Sequence, residues 1–123
     1  MHVGRELLTS TMRVALTQAV DGTVVVSKNN GIVGRKSREA ATNIFGDNVV
    51  FARGRGANYN NAVNIITTDR PNHAEARGIQ ALLNRNIDVN KARQATTLPS
   101  CQFCTDLQRD WHVINLTGSV LGR

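Results

Sequence analysis

The stretch MRVALTQAVDGTVVVSKNN, residues 12–30, decides the fold. Two runs rich in β-branched and apolar residues, 12–19 and 23–28, flank Asp21-Gly22, a pair that suits the twist of a tight antiparallel hairpin. Upstream, residues 5–10 fit a short helix. Downstream, GRKSREAATNIFGDN (34–48) predicts a helix over residues 37–45, with Ser37 as its N-cap and Gly46 as its stop. NVVFARG (48–54) reads as a strand or an extended segment. GRGANYNNAVN (54–64) loses periodicity and gains turn residues, so it reads as a functional loop.

From Asn72 the pattern turns helical, with Ala76, Ile79, Leu82 and Leu83 on one apolar face and residues 84–86 as the end. ARQATTL (92–98) fits a third strand. Pro99 then breaks the chain, Ser100 suits an N-cap, and CQFCTDLQRD (101–110) supplies a helix. WHVINLTG (111–118) closes as a fourth strand containing His112. Phe103 and Trp111 are expected in the core, where large aromatics are usually enclosed. The order predicts an α/β sandwich with helices on both sheet faces and later strands parallel through right-handed crossovers. In such sheets the strand ends that feed helix N-termini gather at one edge, where ligand sites form.

The 123 residues make a single domain, 1–123, with enough apolar content, 41%, for one core. No apolar run approaches the length of a membrane span, and MHVGRELLTS lacks the layout of a signal peptide, so no membrane partner is expected. The oligomeric state is not legible. The formal charge is +6 and the pI near 10.4, which suits a polyanionic partner. Between Lys28 and Arg55, six basic residues (Lys28, Arg35, Lys36, Arg38, Arg53, Arg55) face only Glu39 and Asp47.

Two further stretches carry the chemistry. RPNHAEARG (70–78) places Asn72 three residues before Glu75, the spacing of a helix capping box. It also places His73 at the start of that helix. LPSCQFCTD (98–106) puts Cys101 and Cys104 three apart at the start of another, where backbone N–H groups favour thiolates. That spacing suits zinc, and a redox pair is the alternative. With His73 the ligand count reaches three, because His2 and His112 sit at a terminus and in a strand. Three protein ligands leave the place for water that a catalytic zinc uses. Glu75, two residues after His73, is then the candidate base.

His73-Ala74-Glu75 and Pro99-Ser100-Cys101-Gln102-Phe103-Cys104, with a hairpin before them, resemble the zinc-dependent cytidine deaminase superfamily, whose signature is H-x-E followed by P-C-x-x-C. The resemblance runs from about residue 12 to about residue 117. Ser100 is inserted before the first cysteine, and only SVLGR follows the fourth strand. Both departures resemble the compact bacterial polymorphic-toxin DNA cytosine deaminases. The resemblance implies a cytidine-deaminase-like α/β/α sandwich with a mixed sheet of four to five strands. It implies Zn2+ on His73, Cys101 and Cys104, and Glu75 as proton shuttle while cytosine becomes uracil. Segment 28–64 becomes a basic substrate-binding insertion between the hairpin and the HAE helix. Arg35, Lys36, Arg38, Arg53 and Arg55 meet phosphate there and Tyr59 stacks on a base. Asn30 (or Asn29), Ala74 and Ser100 complete the substrate contacts. The implied partners are DNA and a cognate immunity protein. The implied place of action is the cytoplasm of a target bacterium, after delivery within a larger protein. The competing readings are an RNA or adenine deaminase of the same fold, a free-cytidine deaminase, and a non-catalytic zinc module that binds nucleic acid.

Overall fold

A computed structural model describes residues 14–29, 33–52, 73–97 and 99–116. The hairpin forms as its sequence predicts, with β1 (Val14–Gln18) paired to β2 (Val24–Lys28) in a register that sets Val14 against Lys28 and Gln18 against Val24. Its loop is longer than an Asp21-Gly22 two-residue turn. Gly22 N–H donates to Ala19 O at 3.0 Å, and Gly22 itself takes φ 98°, the left-handed residue that ends a three-residue hairpin loop. Asp21 Oδ1 accepts from the Thr23 amide at 2.9 Å, which fixes the turn from inside.

Around the hairpin stand α1 (Arg35–Phe45), β3 (Val49–Phe51), α2 (Ala74–Asn84), β4 (Arg93–Thr96), α3 (Gln102–Asp110) and β5 (Ile114–Asn115). The five-stranded sheet has the order β3-β2-β1-β4-β5. Strand β1 runs antiparallel to both neighbours, while the β2–β3 and β4–β5 pairs are parallel. Residues 49–51, read as a strand or an extended segment, are thus the fifth strand, and segment 28–64 contributes α1 and β3 to the sandwich. The helix expected at residues 5–10 and the loop at 54–64 lie outside the described residues.

Alternation along the strands divides the core in two. Leu16, Val26 and Ala95 pack toward α1, with Ala41 and Phe45. Val25 points the other way, into a cluster with Ala76, Ile79 and Leu82 of α2, Leu107 of α3, and Val113. This is the α/β/α layering that the sequence predicts. No described helix is long and apolar enough to cross a membrane.

Several local expectations are corrected. Helix α1 starts two residues before Ser37, after Gly34, with no side-chain cap, so Ser37 lies in its first turn. Gly46 does end it, at φ 64°. Phe103 is 38% exposed on the outer side of α3 rather than in the core, whereas Trp111 is half-buried against the α2 cluster. His112 sits in a left-handed turn at φ 58°, before β5 rather than in it.

Helix α2 crosses the sheet closely because Gly78 has no side chain there. A Cβ on Gly78 would overlap Thr17 Oγ1 and come within 3.3 Å of both Ser27 Oγ and Gln94 Nε2. Glycine in a helix interior costs about 1 kcal/mol against alanine, so close approach is the reason to keep it. Gly78→Ala is expected to destabilise the protein by about 1–3 kcal/mol through overpacking, despite its gain in helix propensity. Chemical denaturation checks the sign.

Candidate metal centre

Strands β2 and β4 both end at the edge where α2 and α3 begin. His73 is the N-cap residue of α2 and Cys101 that of α3, each with extended backbone and no side-chain bond to its own helix. Freed from capping, both side chains turn toward each other. His73 Nδ1 lies 3.6 Å from Cys101 Sγ and 3.5 Å from Cys104 Sγ. The ligand atoms of all three lie within 4.8 Å of one another, so the group can hold one metal ion. Cys101 is half-buried, Cys104 buried, and neither forms a disulfide.

Because His73 does not cap α2, something else must. Asn29, just past β2, does so from across the chain: its Oδ1 accepts from the Ala74 amide at 2.6 Å. Ser27 Oγ donates to Ala74 O at 2.6 Å, and Arg77 Nη1 donates to Lys28 O at 2.6 Å. The backbone groups of Ala74, an expected substrate contact, are therefore engaged within the protein.

Glu75 is fully buried in the first turn of α2. It is the second helical residue, so the capping-box reading, which needs the third, does not hold; Asn72 lies outside the described residues. Glu75 shares a helix stripe with Ile79, one turn on, and Ile79 packs in the cluster that includes Leu107 of α3.

Ser100 was expected to cap α3, but Cys101 takes that place, and the Thr105 amide bonds to Cys101 O at 2.9 Å. The Ser100 hydroxyl instead accepts from Gln108 Nε2 at 3.2 Å. Arg35, Lys36 and Arg38 are on α1, which starts at the same edge but packs on the opposite sheet face. Arg35 pairs with Glu39 at 3.2 Å, and the two are 83% and 62% exposed. Asn30, Arg53, Arg55 and Tyr59 lie outside the described residues.

Three contributors carried no motif: Asn29 as cap, Gly78 as crossing point, and the buried pair Gln94 and Gln108. Only the alternation of ARQATTL, which sets Gln94 opposite Ala95, hinted at a polar inward position. Comparison with known protein families, curated proteins and solved structures returns no match.

The geometry predicts one equivalent of bound metal per chain. His73→Ala, Cys101→Ala and Cys104→Ala should each lose it and unfold more readily, since bound metal stabilises the native state. Metal analysis of the purified variants checks this; stoichiometric metal in all three would remove the site.

Proposed function

We propose that the chain is a zinc-dependent hydrolytic deaminase that converts cytosine to uracil in DNA, as the catalytic domain of a bacterial toxin. One observation carries this reading: a His/Cys/Cys metal group and a buried carboxylate share the first turns of two neighbouring helices. Two thiolates and an imidazole are a donor set that zinc accepts readily. With Zn–S about 2.3 Å and Zn–N about 2.0 Å, tetrahedral angles put the S···N edge near about 3.5 Å. The two edges at His73 Nδ1 measure 3.6 and 3.5 Å.

When bound, zinc supplies a water made acidic enough to react near neutral pH. Glu75 would take that water's two protons in turn. It would give one of them to the ring nitrogen and the other to the amino group, which leaves as ammonia while the water oxygen remains as the new carbonyl. His73, the N-cap residue of α2, and Glu75, its second residue, stand at the same helix start.

The net charge of +6 favours a polymer over a free nucleoside. Arg35 and Arg38 line an open groove of about 440 Å³ with Glu39, Thr42 and Asn43. Lying across the sheet from the metal group, they suit phosphates flanking the target rather than the target base. The partners that follow are DNA and a cognate immunity protein, and the place of action is the cytoplasm of a target bacterium.

Sequencing single- and double-stranded DNA after incubation with the protein tests the reaction, with C-to-T changes expected. Ammonia from free cytidine, or edits in RNA or at adenine, would redirect the substrate, and bound zinc with no product from any of these would leave a binding module. Glu75→Gln should abolish turnover, by at least about 100-fold, while zinc stays bound. Arg35→Ala/Arg38→Ala should weaken binding across DNA sequences and reduce its salt slope by up to about two counterions. Affinity measured against salt concentration reads this out.

A further inference from the structure

Between the sheet and helices α2 and α3 runs a chain of side-chain amides that the chemistry above does not use. Gln94 of β4 and Gln108 of α3 are both buried. Gln94 Nε2 donates to Thr17 Oγ1 at 2.8 Å and to the backbone carbonyl of Glu75 at 3.0 Å. Its Oε1 accepts from Gln108 Nε2 at 2.7 Å. Gln108 Nε2 also donates to Ser100 Oγ at 3.2 Å, and Gln108 Oε1 accepts from Asn115 Nδ2 at 3.1 Å. Every amide proton of the two glutamines has an acceptor.

The chain has a fixed direction. A backbone carbonyl can only accept, so the nitrogen of Gln94 must face Glu75 and its oxygen must face Gln108. The nitrogen of Gln108 must then face both Gln94 and Ser100. One end of the chain is thus anchored on the residue two beyond His73, and the other on the residue just before Cys101.

We infer that Gln94 and Gln108 are positioning residues that set the placement of the Ser100–Cys101 segment relative to the α2 turn bearing His73 and Glu75. The α2 turn is held by the end of β2 and the α3 turn follows β4, two strands that β1 separates in the sheet. Further along their length both helices pack into one apolar cluster, α2 through Ile79 and α3 through Leu107. At the metal end, the amide chain supplies direction as well as contact. Its role in metal placement rests on the metal-site reading, and its effect on turnover rests on the deaminase reading.

The test uses the full chain with Gln108→Met, close in volume and unable to bond, and Ser100→Ala, which removes only the last link. Zinc affinity is measured against a competing chelator, ligand geometry by the absorption of the cobalt-substituted protein, and folding by denaturation of metal-free protein. Gln108→Met should bind zinc roughly 10- to 100-fold more weakly, the usual effect of losing an outer hydrogen bond. Its cobalt bands should shift, and kcat should fall more than KM rises. Ser100→Ala should move in the same direction by a smaller factor. Parent-like zinc affinity and cobalt spectrum in both folded variants would overturn the inference. Should Gln108→Met not fold, Ser100→Ala decides on the same two readouts. A parent protein that holds zinc but forms no uracil defeats the deaminase reading, while affinity and spectrum still decide the positioning role.

Discussion

Three consecutive residues at the end of β2 hold the first turn of α2. Ser27 donates to the carbonyl of Ala74, Lys28 accepts from the Arg77 guanidinium, and Asn29 accepts from the amide of Ala74. A helix N-terminus leaves amide groups without intrahelical partners, and a local cap would normally come from the residue before the helix. Here that residue is His73, whose ring faces the cysteines. Capping by a strand some 45 positions upstream releases the histidine for the metal group. It also ties the helix start to the hairpin. A slip of the β1–β2 register by one residue would turn Ser27 to the other face and undo both the cap and the placement of His73.

The layer between the sheet and the two helices is accordingly of two kinds. Away from the metal end it is apolar, with Ile79, Leu82, Leu107 and Val113 in one cluster. Around Gly78 and the Gln94–Gln108 bond it is polar and yet fully buried, with Thr17, Ser27, Glu75, Gln94 and Gln108 at 2% exposure or less. Polar side chains enclosed in this way cost stability unless their hydrogen bonds are made, and made in the right direction. Gly78 permits this by bringing the α2 backbone down onto Thr17, Ser27 and Gln94. Leucine and valine would fill the same volume with less demand on geometry, but they would not fix the angle between two helix ends.

Legibility in the sequence followed the range of each interaction. The hairpin, the spans of the three helices and the His73, Cys101 and Cys104 group were readable because short-range patterns specify them: β-branched alternation, Gly46 as a stop, and a three-residue cysteine spacing. The caps were not. Ser37 and Ser100 have the right chemistry for capping, but Gly34 and Cys101 take the N-cap positions, and Ser100 is drawn to Gln108 instead. Size alone favours the core for Phe103, but the buried stripe of α3 runs through Cys104, Leu107 and Gln108 and leaves position 103 facing outward. The pairing of the short edge strand β3, whose sequence reads as a strand or an extended segment, and the Gln94–Gln108 chain depend on partners far away in sequence.

The position of Glu75 has a sharper meaning once the cap is known. An acidic residue in the first helical turn gains from the helix dipole, and that gain is available at the surface without burial. Full enclosure adds a desolvation cost that a capping role could justify only if the carboxylate satisfied the helix amides. Asn29 already serves the Ala74 amide, and Glu75 stands one position short of the capping-box place. Capping of the Ala74 amide therefore does not fall to Glu75. On the deaminase reading the cost has a direct use: a carboxylate buried in the helix turn that follows His73, away from bulk water, would pass protons between water and base without losing them to solvent.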